Sequence, residues 1–387
     1  MEVFGVDSVL AEELGVKHTS QEICQQPELW HEVYDVIKNQ KKELQAYLEG
    51  AYADVDKIIL TGAGTSAFIG LSARRSFHNQ VGIETQAIAT TDLVTHYRDF
   101  VQKQESVLLV SFARSGDSPE SIAAVEHMSS YVKKCYNLII TCNEGGQLMR
   151  MNAEIDNYCV LLPSKSNDQS LAMTSSYTSM LLAGLLVSRI KEIEAVERQV
   201  NLISHYASEV INKQAPKLQE IARLSFDRAV FLGSGPFSGS AKEAHLKVQE
   251  LTNGIVVCKH DSYLGLRHGP KVVIKQNSLV VYFLSEDKYA RQYELDLINS
   301  IDRGQNPIAE IIISYGSVPP LNKGYEISFG DREDHIDEDF LTVCYIVPIQ
   351  ILGFYKALDC NLNPDSPSKN GTINRVVQGV NIYSQDK

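Results

Sequence analysis

Five short segments carry side chains whose types and spacing could do chemistry. In KEAHLKVQE, from Lys242 to Glu250, the residues Glu243, Lys247 and Glu250 stand at i, i+4 and i+7. That spacing puts two carboxylates and an amine on one face of a helix. A carboxylate beside an amine suits acid–base work on a sugar carbon. The plainer alternative is a surface ion pair between Glu243 and Lys247, with Glu250 solvated. His268 lies in YLGLRHGP, from Tyr263 to Pro270, between Arg267 and a Gly-Pro turn. A histidine on a loop is a candidate general acid or base, or an ordinary turn residue. SFARSGDSPES, from Ser111 to Ser121, follows an apolar run. There Ser115, Gly116 and Ser118 offer hydroxyl and N–H groups at a helix start. Pro119 suits the first helical turn, and Arg114 adds positive charge. Together they form a nest for a phosphate monoester, or a helix with several capping serines. GAGTS, from Gly62 to Ser66, combines a turn that lets backbone approach a ligand with a helix N-terminus. Gly64, Thr65 and Ser66 are its candidate contacts, and a tight strand-to-helix turn is the bland alternative. The fifth segment, DQSLAMTSS from Asp168 to Ser176, reads as an N-capped helix start whose Asp168 could line the same site.

These segments need a frame that gathers them. KIILTGAGTSAFIG, from Lys57 to Gly70, has a weak echo about 172 residues later in RAVFLGSGPFSGSAKEAH, from Arg228 to His245. VLLVSF (Val107–Phe112) is matched by LVVYFL (Leu279–Leu284), and LIIT (Leu138–Thr141) by IIIS (Ile311–Ser314). Apolar runs without alternation, separated by helical patterns, fit parallel strands buried on both faces. The expected strands are Ile58–Thr61, Val107–Ser111, Leu138–Thr141 and Tyr158–Leu162, then Ala229–Leu232, Leu279–Leu284, Ile311–Ser314 and Glu326–Phe329. The fold class is therefore α/β: two tandem, doubly wound parallel-sheet domains related by internal duplication, with an N-terminal helical segment. The expected divisions are a lead-in over 1–50, a first domain over 51–215 and a second over 216–387. Thr19 with Glu22 reads as a capping box opening a helical stretch over 19–49. A long helix is expected from about Ser170 to Glu194. In open α/β sheets, ligands bind outside the carboxyl ends of the strands, where all five segments fall. The copies diverge there. Opposite the Arg114–Ser118 nest, the second copy has Ser285-Glu286-Asp287-Lys288-Tyr289, without glycine and with two acids that should repel an anion.

Composition narrows the function. The 387 residues are 44% hydrophobic and 22% charged with a net charge of −12. That is an ordinary globular composition without the basic surface that phosphate backbones require, so no nucleic-acid partner is expected. No run of about 18 apolar residues suggests a membrane span. The acidic start lacks the basic n-region of a signal peptide. Seven scattered cysteines without a CxxC fit a reducing, cytoplasmic compartment. Ten histidines without HxxxH or HExxH spacing give no metal site. The polar tail from Asn361 ends in VVQGVNIY and is expected to pack over a site or a partner subunit.

Taken together, the segments resemble the SIS (sugar isomerase) family, in particular the isomerase half of glucosamine-6-phosphate synthase. The residues that carry the resemblance are Ala63-Gly-Thr-Ser66, Ala113-Arg-Ser-Gly-Asp-Ser118, the Glu243…Lys247…Glu250 helix and Arg267-His-Gly-Pro270. With SFARSGDSPES, AMTSSYTSM and NRVVQGVNIY, the full-length pattern is most similar to AgaS-type proteins of bacterial amino-sugar catabolism. The resemblance implies that Ser66, Arg114, Ser115 and Ser118 hold a sugar phosphate. It implies that Glu250 moves a proton between C1 and C2, and that His268 helps open the ring, in its own or a neighbouring subunit. Lys247 and Glu243 would orient and tune these groups. The chain departs from the synthase at Ala113 and Arg114, where the relative has serine and glutamine. It departs again at Arg375, near where the relative's tail offers a lysine. Arginine stays protonated and forms no Schiff base, so the tail is expected to clamp substrate rather than react.

The synthase makes an amino sugar with ammonia from a glutaminase domain. Residues 1–50 are too few for one, and no cysteine nucleophile follows Met1. The expected direction is therefore catabolic: an aldosamine 6-phosphate, galactosamine 6-phosphate by the resemblance, gives a ketose 6-phosphate and ammonia. Proton transfer supplies the chemistry, so no cofactor is expected. The expected partners are a small-molecule sugar phosphate and further copies of the chain, as a homodimer or higher homo-oligomer with a shared site. A non-deaminating aldose–ketose isomerase and a non-catalytic sugar-phosphate sensor remain as alternatives.

Overall fold

A computed structural model describes residues 4, 15–151, 156–318, 324–330, 333–368, 370–377 and 379–383. The chain forms two compact units interleaved in sequence. One draws on residues 29–168, 175–198 and 370 onward, and the other on residues up to 28, 169–174 and 199–369.

The first unit is built on strands β1 (Lys57–Thr61), β2 (Glu84–Ala87), β3 (Ser106–Ala113), β4 (Lys134–Thr141) and β5 (Asp156–Leu161). They form one sheet in the order β2-β1-β3-β4-β5, and every pair is parallel. Helices cover both faces. On one, Leu93, Ala124, Val125 and Met128 pack on Ile59, Val107 and Leu109. On the other, helices Thr65–Val81 and Ser175–Ser188 come in close, because Gly70 faces Leu60 and Gly184 faces Phe112 with no room to spare for a Cβ. Every residue of β1 and β3 is buried in consequence, which is why their sequences run apolar without alternation.

The second unit repeats the plan with β6 (Arg228–Leu232), β7 (Val257–Asp261), β8 (Ser278–Phe283), β9 (Ala309–Tyr315) and β10 (Gly324–Phe329). Read from its other edge, the parallel order β7-β6-β8-β9-β10 is that of the first sheet. The register repeats as well. Lys57 pairs with Val107, and Arg228 with Ser278, each the same distance along the chain. The expected pair of tandem, doubly wound α/β domains is thus observed.

The differences from the sequence reading are local. Strands β2 and β7 were not expected. Both are edge strands, and their sequences, ETQA and VCKHD, lack the apolar run that marks a strand buried on both faces. The stretch over 19–49 is three helices: Lys17–Cys24, Gln26–Asn39 and Lys41–Tyr52. Thr19 and Glu22 form no capping box, because distant partners win. The Thr19 amide and hydroxyl both donate to Asp365 at 2.7 Å. Glu22 accepts from the amide and hydroxyl of Ser170. The long helix expected from Ser170 begins instead at Ser175 and ends at Ser188, with all of its residues buried.

Residues 338–359 are, among the described residues, the one stretch long and apolar enough to cross a membrane. They form two helices, Glu338–Cys344 and Val347–Asp359, and nearly all of the stretch is buried inside the protein. This is the core of the second unit. Tyr345 stacks on Phe237 with ring centroids 5.0 Å apart. A Cβ on Gly353 would fall 2.8 Å from Leu251, so glycine lets this helix seat closely against helix Phe237–Leu251.

Candidate active site

In the first unit the site residues gather at the carboxyl edge of the sheet. β1 and β3 are neighbours with Thr61 opposite Ser111, so the turns that follow them leave side by side. After β1, a Cβ on Gly62 would lie 2.6 Å from Ser66 Cβ, and Gly64 has φ +56. Only glycines fit this turn, and it delivers Thr65 and Ser66, both 5% exposed, into the first turn of helix Thr65–Val81. After β3 the chain runs through Arg114, Ser115, Gly116 at φ +70, Asp117 and Ser118 before Pro119 opens a helix. The turn is braced from the end of β4. Asn143 Nδ2 donates to Ser115 O at 2.7 Å, and the Gln147 amide donates to Asp117 Oδ1 at 3.0 Å. Gly146 packs so tightly that its Cβ would fall 2.5 Å from Ser115 O. The Asp117 amide donates to Ser115 Oγ at 3.2 Å, while Ser118 Oγ donates to Glu120 Oε2 at 2.7 Å.

The tail joins this edge. Arg375 Nε donates to Asp168 O at 2.7 Å, and its Nη2 donates to Asn167 Oδ1 at 2.6 Å. Arg114 Nη2 donates in turn to the Arg375 carbonyl. Arg114, Asn167, Asp168 and Arg375 therefore form one chain of hydrogen bonds. The Asp168 carboxylate is turned to the N-terminus of helix Ser175–Ser188, accepting from Ser176 N at 2.9 Å, Ser176 Oγ at 2.5 Å and the Ser175 hydroxyl. It is 1% exposed and caps the helix that packs under the nest.

In the second unit, Gly233 and Gly235, the latter at φ +56, repeat the turn of Gly62 and Gly64 and open helix Phe237–Leu251. Glu243, Lys247 and Glu250 share one face of it as the spacing requires. The face points inward rather than to solvent. Lys247 Nζ lies 3.1 Å from Glu243 Oε1 and 3.0 Å from Glu250 Oε2. The side chains of Glu243 and Lys247 are fully buried, and that of Glu250 is 24% exposed. Burial pulls the Lys247 ammonium toward deprotonation, but the two carboxylates outweigh it and hold the pKa above the usual lysine value. The result is a lysine charged at neutral pH and tied to one sealed carboxylate and one that reaches the surface. The surface ion-pair alternative fails at Lys247.

His268 is the C-cap of the short helix Tyr263–Arg267, with an exposed ring. Among the described residues its side chain bonds to none of Glu243, Lys247 and Glu250. The segment that carries it is firmly fixed. The Gly265 amide donates to Ser262 Oγ at 3.0 Å, and the buried Tyr263 hydroxyl donates to Phe283 O at 3.0 Å. In the second copy, the two acids expected to repel an anion are not free. Glu286 pairs with Arg291, and Asp287 caps helix Lys288–Gly304 through the amides of Tyr289 and Ala290.

Sequence reasoning missed the braces Asn143 and Gly146, although the Asn-Glu-Gly-Gly run after β4 is a turn signal at the right edge. It also missed a histidine pair at the lysine helix, His245 on the helix and His260 on β7, whose ring centroids are 4.7 Å apart. Burial and the His245 neighbour push the pKa of His260 down to about 4. Among the described residues, no group of three or more His, Cys, Asp or Glu side chains is placed to hold a metal ion.

Comparison with known proteins gives the family. The SIS domain family matches residues 51–188. The chain is similar to the D-galactosamine-6-phosphate deaminase AgaS of Shewanella sp. (strain ANA-3), at 37% identity over 375 residues covering 95% of this chain and 92% of the relative. It is also similar to the D-galactosamine-6-phosphate deaminase AgaS of Escherichia coli O157:H7, at 37% identity over 384 residues covering 94% and 95%. Its fold matches the crystal structure of tagatose-6-phosphate ketose/aldose isomerase from Escherichia coli, with a TM-score of 0.86, 34% identity and coverage of 95% of this chain and 97% of that one. Sequence match and shared fold run the length of the chain, and the chain belongs to the AgaS-type branch of the SIS, or sugar isomerase, family.

Proposed function

We propose that this protein is a deaminating sugar-phosphate isomerase that converts galactosamine 6-phosphate to tagatose 6-phosphate and ammonia. The observation that carries the reading is the Glu243–Lys247–Glu250 triad, with its sealed ion pair and its one surface-reaching carboxylate. Relatives that share more than a third of the residues across nearly the full chain support the substrate.

The ester phosphate is held by Gly64, Thr65 and Ser66 and by the nest of Arg114, Ser115, Gly116 and Ser118, through hydroxyl and N–H donors at two helix starts. Asp168 and Arg375 keep the tail against that nest. His268 assists ring opening, exposing the C1 aldehyde. Glu250 takes the proton from C2, giving an enolamine, and returns it to C1. The C2 imine that remains is hydrolysed by water, releasing ammonia and leaving the ketose. Lys247 holds Glu250 in place, and Glu243 balances the lysine. The protein acts as a cytoplasmic homodimer or higher homo-oligomer.

A second reading, aldose–ketose isomerisation without loss of nitrogen, is favoured by the likeness to the Escherichia coli isomerase structure. One experiment separates the two. Purified protein is incubated with galactosamine 6-phosphate, glucosamine 6-phosphate and galactose 6-phosphate, and ammonia and ketose phosphate are both measured. Equimolar ammonia and ketose from the galactosamine ester is the expected result. Ketose from galactose 6-phosphate without any ammonia would move the assignment to the plain isomerase. Glu250→Gln is expected to abolish turnover while sugar-phosphate binding persists.

A further inference from the structure

We propose that the turn Ser285–Asp287 at the end of β8 is a second anion nest, the duplicate of Ser115–Asp117, and that the chain's own Glu338 carboxylate is its resident ligand. The backbone supports the duplication. In the first sheet the Asp117 amide donates to Ser115 Oγ at 3.2 Å, and in the second the Asp287 amide donates to Ser285 Oγ at 3.1 Å. Both turns leave the third strand of the sheet order and both lead into a helix.

Occupancy distinguishes them. Glu338 Oε1 accepts from the Glu286 amide at 2.7 Å and from the Ser285 hydroxyl. Glu294 Oε2 takes the Ser285 amide at 2.9 Å. Arg291 Nε holds the turn from behind through Ser285 O at 2.6 Å, and its guanidinium pairs with Glu286. Donors that would serve a bound anion are thus spent on carboxylates from the two flanking helices. In the first sheet, among the described residues, no side-chain carboxylate accepts from Ser115 or Gly116. The Ser115–Gly116 turn is open, although the Ser118 hydroxyl is given to Glu120, and its twin is filled from within. The second turn needs no loss of its donors to be closed to sugar phosphate, since a tethered carboxylate competes at high effective concentration.

The test is replacement of the tethered anion by a free one. Glu338→Ala is expected to lower the thermal midpoint by about 5 °C or more, because buried donors lose a charged acceptor. Added acetate at tens of millimolar should restore at least half of that loss, while sodium chloride at equal ionic strength should not, and the unaltered protein should respond to neither. An acetate effect no larger than that of chloride overturns the proposal. So does an equal acetate effect on the unaltered protein, or a variant as stable as the parent without any added anion. If Glu338→Ala does not fold, Glu338→Gln decides. Its amide oxygen can accept the same two bonds without charge, so a lower midpoint without acetate response is expected. A midpoint equal to or above the parent's overturns the proposal.

Discussion

The sealed ion pair makes a quantitative demand on Lys247. Its ammonium lies 3.1 Å from Glu243 and 3.0 Å from Glu250, and neither it nor the Glu243 side chain has any exposure. At an effective dielectric of about 20, each contact is worth roughly 5 kcal/mol before desolvation is counted. Desolvation of three ions offsets much of this, so the intact cluster adds little net stability. Removal of one member is different. Lys247→Met keeps the volume and deletes the charge, leaving the Glu243 carboxylate buried without its cation. The expected loss is about 3–5 kcal/mol. Nearly all of it comes from Glu243, because the partly exposed Glu250 contributes about 1 kcal/mol or less after solvent screening. Glu243→Gln combined with Lys247→Met should therefore recover most of the loss. Urea unfolding of parent, both singles and the double, with m unchanged, gives the cycle. The argument is refuted if Lys247→Met costs under about 1 kcal/mol, or if the double variant is no more stable than that single. The pH dependence has a fixed sign. Because the folded pKa of Lys247 is raised above 10.5, its contribution is whole below that pH and is lost as pH climbs beyond it.

Other consequences are as direct. Burial, with Glu338 and Glu286 adding to it, pushes Glu294 from 4.5 up to about 7. The native state then takes up a proton between pH 7 and 4.5 that the unfolded chain does not, and stability should rise by roughly 3 kcal/mol across that fall. Glu294→Gln should lose this rise, and parallel stability curves would refute it. His260 works in the opposite sense. With its pKa lowered to about 4, the unfolded chain protonates first, and stability should fall between pH 6.5 and 4. The ring is only partly buried, so the fall should be about 1–2 kcal/mol, and His260→Asn should flatten it. Gly146→Ala places a Cβ 2.5 Å from Ser115 O and 3.1 Å from Gly116 Cα. It should raise KM for the sugar phosphate by roughly tenfold or more, at unchanged far-ultraviolet circular dichroism. An unchanged KM would remove the nest from substrate binding.

What could be read in advance follows from where each signal is stored. The central strands were legible because burial on both faces forces an unbroken apolar run, as in VLLV and IIIS. Edge strands β2 and β7 carry no such constraint and left no mark. Spacing alone put Glu243, Lys247 and Glu250 on one face. Spacing could not say whether that face looks inward, because the answer lies in Gly353, about a hundred residues away, and the close seating it allows. The capping box failed for the same reason: Asp365 and Ser170 outbid the local partners of Thr19 and Glu22. The two nests show the limit most clearly. The sequence showed that the copies differ at this turn, but not which groups its donors meet. Glu286 and Asp287 are satisfied within their own helix turn, while the carboxylate that meets the Ser285 hydroxyl and the Glu286 amide, Glu338, comes from another helix altogether.

The interleaving of the two units bears on how this protein can be made and divided. The first-sheet unit takes its last strap, with Arg375, from the far end of the chain, and the second-sheet unit takes its opening helix, with Thr19, from the near end. During synthesis at about 5–20 residues per second, residues 29–198 emerge well before the strap does. The open nest therefore reaches its finished form only after the second sheet has been translated. For the same reason a cut near residue 198 yields two pieces that each lack a part of themselves. The pieces should regain activity only when mixed, each supplying the segment the other lacks.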